Sequence, residues 1–585
     1  MLVGPRLRVN DDGFVRGGGD GVWPTGSSDA EVQYTRAVGN SVSRLAAGIL
    51  KNSPLASRRF RRFYVGTAGA ALGYTMQGTI AAWLMATLTP SALMVALVQT
   101  ASTGPALLFG LAAGALADIV DKRRIVLATQ AVLFGATALL GVMTLAGLVT
   151  PVTLLAITFV IGAGFTTYLP AVQATTNDLV TRAELPRAIA LGAVAFNVSR
   201  AAGPALAGAL TAWIGTGSAL LAAAAFFLVM ILAIRRLRVD APVLPGVPER
   251  LLPGIASGLR YVRHAPLMRA FLIRNLSFSV CAGALWALLP VIARDLLGMG
   301  AGGFGALSAS FGAGAVIGAL TVPRHLQRRS LTKVVLGATL LWAAAVTAIA
   351  FFHYTAVATV GMFACGAAWV GVFASLSSGV QSAAPAWVRA RAVAAGLVVN
   401  QGSFAAGAAL WGAVAYLVDI QTALALSAAT VLALLIVNRR HEVRLGDEAE
   451  VTPGAPLPDL GLPVPPRPDD GPVLIQIEYR VDPGNHDEFL RAIHNIEPAR
   501  RRNGASDWRV FRDLADRNLF FERYIIASWG EYVRLRARMT VADRELQDRV
   551  SKLHAGEDEI RVSRQIGIAP EEMAALHDES LRRQP

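Results

Sequence analysis

Apolar and polar positions in this chain fall into long blocks. Between Phe63 and Asn438, extended stretches almost free of charge alternate with short connections that carry nearly all the charge. Twelve apolar runs are predicted, at about 63–88, 91–117, 124–148, 151–175, 186–211, 216–234, 268–293, 301–322, 331–352, 355–380, 390–417 and 420–438. Each is long enough to cross a bilayer as a helix, which takes about 20 apolar residues. The connections alternate as well. Those with Lys122–Arg124, Arg182 and Arg187, Arg235–Arg238, Arg324–Lys333, and Arg389 with Arg391 are basic. Those at Thr89-Pro90, Thr150-Pro151 and Thr216 are uncharged, and Asp419 stands alone. Only Arg294-Asp295 sets a base on that second side, and an acid neighbours it. Basic loops stay in the cytoplasm, so the pattern predicts twelve spans with both termini inside.

The ends differ from the middle. Residues 1–57 are rich in Gly, Ser, Asp and Arg, with no apolar core that would serve as a secretory signal. They are expected to be a disordered tail. Arg58, Arg59, Arg61 and Arg62 then abut the first apolar run. The first six runs span 58–234, a link covers 235–266, and the second six span 267–438. A proline-rich stretch at 439–471 reads as a semi-rigid linker. In 472–585 the period changes. Strands are predicted at Val473–Val481, Trp508–Asp513, Leu519–Ile526 and Ile560–Ile566, with helices from Asp482 to about Arg502 and from Trp529 to Leu553. That β-α-β-β-α-β order is the ferredoxin-like plan. The expected fold is therefore an all-α polytopic membrane protein of 12 transmembrane helices in two six-helix halves, plus a C-terminal α+β ferredoxin-like domain.

Composition agrees. Of 585 residues, 54% are hydrophobic and the mean hydropathy is +0.48, too apolar for a soluble chain. The net charge of +14 sits mostly in loops and tail, so topology accounts for it and nucleic acid is not expected as a partner. Cys281 and Cys365 are far apart and offer neither a metal spacing nor a disulfide framework. No P-loop occurs, which argues against ATP-driven transport. No cofactor is expected.

The halves repeat. Gly114-x-Leu116 recurs as Gly318-x-Leu320, and Gly203 with Gly208 recurs as Gly407 with Gly412, each displaced by 204 residues. In the second copy Val322 takes the place of Asp118. Two parallel halves with a substrate path between them near the midplane are a transporter arrangement.

The hinge Gly114-Ala-Leu116-Ala-Asp118-Ile-Val-Asp121-Lys122-Arg123-Arg124 resembles the G-x-L-a-D-r-x-G-r-k element between the second and third helices of major facilitator superfamily (MFS) transporters. Asp121 stands where Gly is commoner, and Ile119 replaces a usual base. The resemblance implies that Asp118 helps fasten the cytoplasmic side in the outward-facing state. Asn197-Val-Ser-Arg200-Ala-Ala-Gly203-Pro204-Ala-Leu-Ala-Gly208 is similar to the helix-five element of MFS antiporters, with Ala207 in place of one glycine. That element is commoner in exporters. Further matches at Arg61–Phe63, Trp83–Met85, Thr89–Gln99 and Trp387–Arg391 resemble the enterobactin-exporter-like (transmembrane secretion effector) branch. The C-terminal domain is similar to antibiotic-biosynthesis-monooxygenase-like domains, which usually pair as dimers.

Arg200 is the sharpest single residue. A guanidinium inside a span is costly, so it should face a cavity and hold a partner, unless it snorkels to the surface. Tyr74, Gln77, Gln99, Asn275, Asn400 and Gln401 are polar candidates for the same cavity, or else glue between helices. No central carboxylate is found, which leaves Asp118 and Asp178 (near Arg182) as proton-carrier candidates. The resemblance implies a cytoplasmic-membrane exporter of siderophore-like or amphipathic drug-like molecules, with lipid and a small molecule as its partners. It is not expected to be an enzyme. The alternative is a membrane-tethered enzyme or sensor, whose His486, His494, Asn503 and Trp508 would act on or sense the cargo.

Overall fold

In the computed structural model, side-chain caps start several of the helices. The structure describes residues 53–181, 184–235, 251–454, 466–555 and 559–567, with three short strands ahead of them; the side chains of 111, 115, 117–119, 186, 251–256 and 390 are not described. Helix α1 (Arg58–Leu88) starts at Ser57, whose hydroxyl accepts from the Phe60 amide. Helices α2 (Ala92–Thr103) and α3 (Pro105–Ile119) follow, with Ser91 capping the first and Pro105 opening the second. Asp121 caps α4 (Lys122–Leu145), and a Thr150–Thr153 capping box opens α5 (Pro151–Leu179). Next come α6 (Leu185–Ile214) and α7 (Thr216–Arg235).

Helix α8 (Leu251–His264) precedes the second set: α9 (Pro266–Val291), α10 (Ala301–Arg328), α11 (Leu331–Phe351), α12 (Thr355–Ala383), α13 (Arg389–Leu417) and α14 (Ile420–Val437). Asp419 caps α14 through the Thr422 amide at 2.7 Å.

Among the described residues, eleven helical spans are long and apolar enough to cross a membrane, against the twelve expected. The first run does form a helix of 31 residues, but Tyr74, Thr75, Gln77 and Thr79 dilute its apolar character. The 91–117 run is interrupted at Gly104-Pro105, because proline removes a backbone donor. The link 235–266 contains α8, whose Tyr261 and Val262 are buried. The tail expected to lack order carries strands β1 (Arg8–Val9), β2 (Phe14–Gly17) and β3 (Gly21–Pro24), paired antiparallel in that order. Val15 is in register with Trp23, and both residue types favour strands.

The helices pack as two similar sets. In the first, α1 lies against α6 and α7, and α4 against α5 and α7. In the second, α9 lies against α13 and α14, and α11 against α12 and α14. The sets meet along two seams, α6 on α10 and α2–α3 on α13.

Beyond the helices, after a four-residue α15 (Glu448–Val451), four strands form one sheet: β4 (Val473–Arg480), β5 (Ser506–Arg512), β6 (Leu519–Ile526) and β7 (Val562–Ile566). Their order is β5-β6-β4-β7, every pair antiparallel. Helices α16 (His486–Arg502), α17 (Trp529–Arg538) and α18 (Val541–Ser551) cover it. The helical segments expected over 529–553 are these last two, parted at Met539–Thr540, where Thr540 caps α18. Alternating burial along β4 sets Val473, Ile475, Ile477 and Tyr479 into the core beside Phe489, Ile493 and Tyr532.

Candidate functional site

The two seams are closed by small residues on the side away from the basic loops. A Cβ on Gly208 of α6 would stand 2.8 Å from the Ala301 carbonyl oxygen and from Gly305 Cα on α10. A Cβ on Gly412 of α13 would collide with Ala96 of α2. Only glycine lets these backbones approach so closely. Their repeat partners behave alike within each half: a Cβ on Gly203 would collide with Thr75 of α1, and one on Gly407 with the Val280 carbonyl of α9. Pro204 is buried beside them. At the same end Trp83 stacks on Phe304 at 5.8 Å, and Arg294 Nη1 donates to the Thr89 carbonyl at 3.3 Å.

Toward the basic loops the glycines no longer interlock the halves: among the described residues nothing lies within 4 Å of a Cβ position on Gly192 of α6 or Gly114 of α3, and Val194, Asn197 and Val198 are exposed. The α3–α13 seam reaches lower, to Gly110 against Val398.

Arg200 sits where that interlocking ends. It lies fifteen residues past Leu185 and fourteen before Ile214, so about 21 Å from either end of α6 at ~1.5 Å per residue. Its guanidinium lies over the ring of Trp369, 5.3 Å from the centroid. Trp369 is itself midway along α12, in the other half. Arg200 is too deep to snorkel. Among the described residues no hydrogen-bond acceptor or carboxylate engages it.

Behind Trp369 lies an aromatic cluster: Phe373 at 4.2 Å, Phe404 at 5.6 Å, Trp342 at 6.0 Å, and Phe278 and Phe311 at 6.1 Å. These aromatics went unremarked in the sequence. They stand on five different helices, and no spacing along the chain joins them.

The polar candidates separate into groups. Asn275 and Asn400 are engaged with each other at 3.1 Å and with Ser279 and the Gly396 carbonyl, which ties α9 to α13. Tyr74 stacks on Phe165 with centroids 3.6 Å apart and shares a hydrogen bond with Ser102 at 3.0 Å. Gln77 is buried with its Nε2 lacking a partner. Gln99 and Gln401 are half-buried.

In the hinge, Lys122 Nζ holds Asp178 at 2.6 Å, and Arg123 Nη2 donates to the Arg235 carbonyl at 2.7 Å. Asp121 is the cap of α4, and Arg124 is loosely near it at 4.0 Å. Leu116 is exposed. The Asp118 side chain and all of Arg182 lie outside the described residues.

The C-terminal domain docks against α8 and the loop before α13. Glu531 takes Arg260 at 2.8 Å and Arg538 at 3.3 Å, and Arg538 lies 4.1 Å over Trp387. Trp387 in turn meets Tyr261, and Arg391 Nη1 donates to Ser257 at 2.9 Å. A crevice of about 470 Å³ opens beside this contact, with Arg269, Arg440, Arg444 and Arg502 in its walls.

Of the residues that prompted the enzyme alternative, His494 and Trp508 meet edge to face at 5.6 Å. Trp508 donates to Glu522 at 2.9 Å and Asn503 to Asp543 at 3.3 Å, while His486 and His494 contact the Val481 and Leu490 carbonyls.

Two repeated helical sets, interlocked by glycines toward one end, have the architecture of the MFS class. The chain belongs to the transmembrane secretion effector family, the match running over residues 50–572. It is similar to the multidrug efflux pump Tap of Mycolicibacterium fortuitum, 29% identical over 36% of this chain and 53% of that protein. It is also similar to the staphyloferrin A transporter of Staphylococcus aureus, 23% identical over 48% of this chain and 72% of that one. The chain thus spans about half the length of the first relative. Among solved structures, the nucleoside transporter NupG superposes with a TM-score of 0.52 at 14% identity, over 66% of this chain and 99% of that one. A bacterial homologue of the lysosomal transporter Spinster gives 0.52 at 13%, over 66% and 98%. At such identities the likeness concerns the fold.

Proposed function

We propose that this protein exports small molecules, siderophore-like or amphipathic and drug-like, across the cytoplasmic membrane by alternating access driven by a proton gradient. The observation that carries this reading is the asymmetry of the seams: glycines interlock the halves toward one end and no longer do so below a mid-membrane arginine. The basic end is the cytoplasmic one by the positive-inside rule. The state is then inward-facing, ready to load cargo from inside. Helix α1 is the twelfth span, and Arg58 to Arg62 keep the amino terminus in the cytoplasm. The cargo class leans on the relatives, one an efflux pump and one a siderophore transporter by name.

In the outward-facing state Asp118, with Lys122, Arg123 and Arg124, fastens the cytoplasmic side as Gly114 and Leu116 close on the opposite half. Asp178, held by Lys122 at 2.6 Å, is the first proton-carrier candidate and Asp118 the second. Tyr74, Gln77, Gln99 and Gln401 line the path, while Asn197, Gly203, Pro204 and Gly208 shape the helix that rocks. Asn275 and Asn400, being bonded to each other, act as glue. The C-terminal domain follows the ferredoxin-like plan, as its strand order supports, and braces the second half. Its uncovered sheet face, where Arg523 lies over Phe511 and Phe521, is the surface for self-association.

The test is transport in proteoliposomes with an imposed pH gradient, using ethidium and an iron-free siderophore. Wild-type protein accumulates at least one of them, and Asp118→Asn abolishes it. Accumulation unchanged in Asp118→Asn contradicts the gate assignment, and none in wild type contradicts the proposal.

A further inference from the structure

We infer that Arg200 and Trp369 form the cargo-recognition platform, and that it selects organic anions bearing a flat aromatic ring. The inference rests on the transporter reading above and narrows its substrate class. Arg200 carries five N–H donors and a permanent charge. The Trp369 ring faces that charge at 5.3 Å, but a ring accepts none of those N–H bonds in the guanidinium plane. Half-buried at the middle of a span, such a group favours an anionic acceptor. Among the described residues none engages it, and the neighbouring helix positions Asn197 and Gly203 bring no acid. A cargo carboxylate or phenolate completes the set with a paired, charge-assisted contact.

The second half of the platform sets the shape. Trp369 stands on α12 with Phe373 at 4.2 Å and Phe404 at 5.6 Å. Trp369 is half-buried, with one side packed on this cluster and the other toward Arg200. A planar ring of the cargo meets the open edge that Trp369 shares with half-buried Phe373, edge-on as the protein's own rings pack. The location matters as much as the chemistry. Arg200 belongs to the first half and Trp369 to the second, both near the middle of their helices. A ligand bridging them is held by both halves at once, so rocking between the two open states remakes its contacts. An ion-paired cargo is also less costly to carry through the midplane than a bare charge.

The experiment measures binding of four probes to the full-length protein in nanodiscs: 2-naphthoate, its neutral amide, 2-naphthylmethylammonium and cyclohexanecarboxylate. Naphthoate should bind about tenfold more tightly than each of the others. Arg200→Gln should erase the advantage over the amide, Arg200→Lys should restore part of it, and Trp369→Leu should erase the advantage over cyclohexanecarboxylate. A melting temperature within a few degrees of wild type confirms that each variant is folded. Equal binding of naphthoate and naphthamide to wild type, or naphthoate binding unchanged in Arg200→Gln, overturns the inference. The transporter reading is scored separately, as movement of ethidium, the iron-free siderophore or naphthoate in wild-type proteoliposomes. Movement without anion preference defeats this inference alone. Selective naphthoate binding with no movement of any probe defeats the transporter reading and leaves the site.

Discussion

Glu522 and Arg500 show what a single buried charge does in this protein. Glu522 is 0% exposed, yet it accepts from Arg500 at 3.0 Å, from Trp508 at 2.9 Å and from Tyr479 at 3.2 Å. Removing one member of such a pair strands the other. Glu522→Ala should therefore destabilise the C-terminal domain by about 3–5 kcal/mol in chemical denaturation, whereas Arg500→Met with Glu522→Leu should cost far less. Burial also holds the Tyr479 and Tyr524 phenols above their ordinary value of 10.0, and the Glu522 carboxylate reinforces this for both. The folded domain thus keeps these protons to higher pH than the unfolded chain. Stability present below about pH 10 should fall as pH rises past it, read as urea midpoints from pH 8 to 11.

This network was within reach of the sequence. Period-two alternation along Leu519–Ile526 puts Glu522 on the same face as Phe520, Tyr524 and Ile526. The Arg200–Trp369 contact was not, since 169 residues and two helical halves separate its members.

Among the elements, glycine-lined helix contacts mark where the halves must slide. The 204-residue repeat pointed to Gly203, Gly208, Gly407 and Gly412, and each meets a neighbouring helix at a distance that excludes a side chain. What the repeat could not tell was which contacts cross between halves, because that depends on the assembled seams. Helix α8 was missed for another reason: a short amphipathic stretch looked like a loop beside runs of 20 or more apolar residues. Gly208→Val should wedge α6 from α10 and open the outer end. Alkylation of a cysteine placed by Ser308→Cys, buried on α10 one turn from Gly305, should then rise several-fold. An unchanged rate means that this seam does not close the path.

For the whole molecule, the C-terminal domain is clamped to the transporter through Glu531 and the Arg538–Trp387 contact. The sequence disclosed the domain and its order of strands and helices, while its docking site required the positions of Arg260 and Trp387 in space. Glu531→Lys sets a fourth positive charge beside Arg260, Arg534 and Arg538. It should lower disulfide formation between Arg538→Cys and Trp387→Cys several-fold, with Arg260→Glu restoring part of the yield.

Alternating access itself is tested most directly by electron–electron spin distances in liposomes. One label pair reports on the basic end (positions 189 and 320) and the other on the opposite end (213 and 417), all four exposed. Cargo and a pH gradient should shorten the first distance while lengthening the second. Two distances that move together, or not at all, would contradict the account.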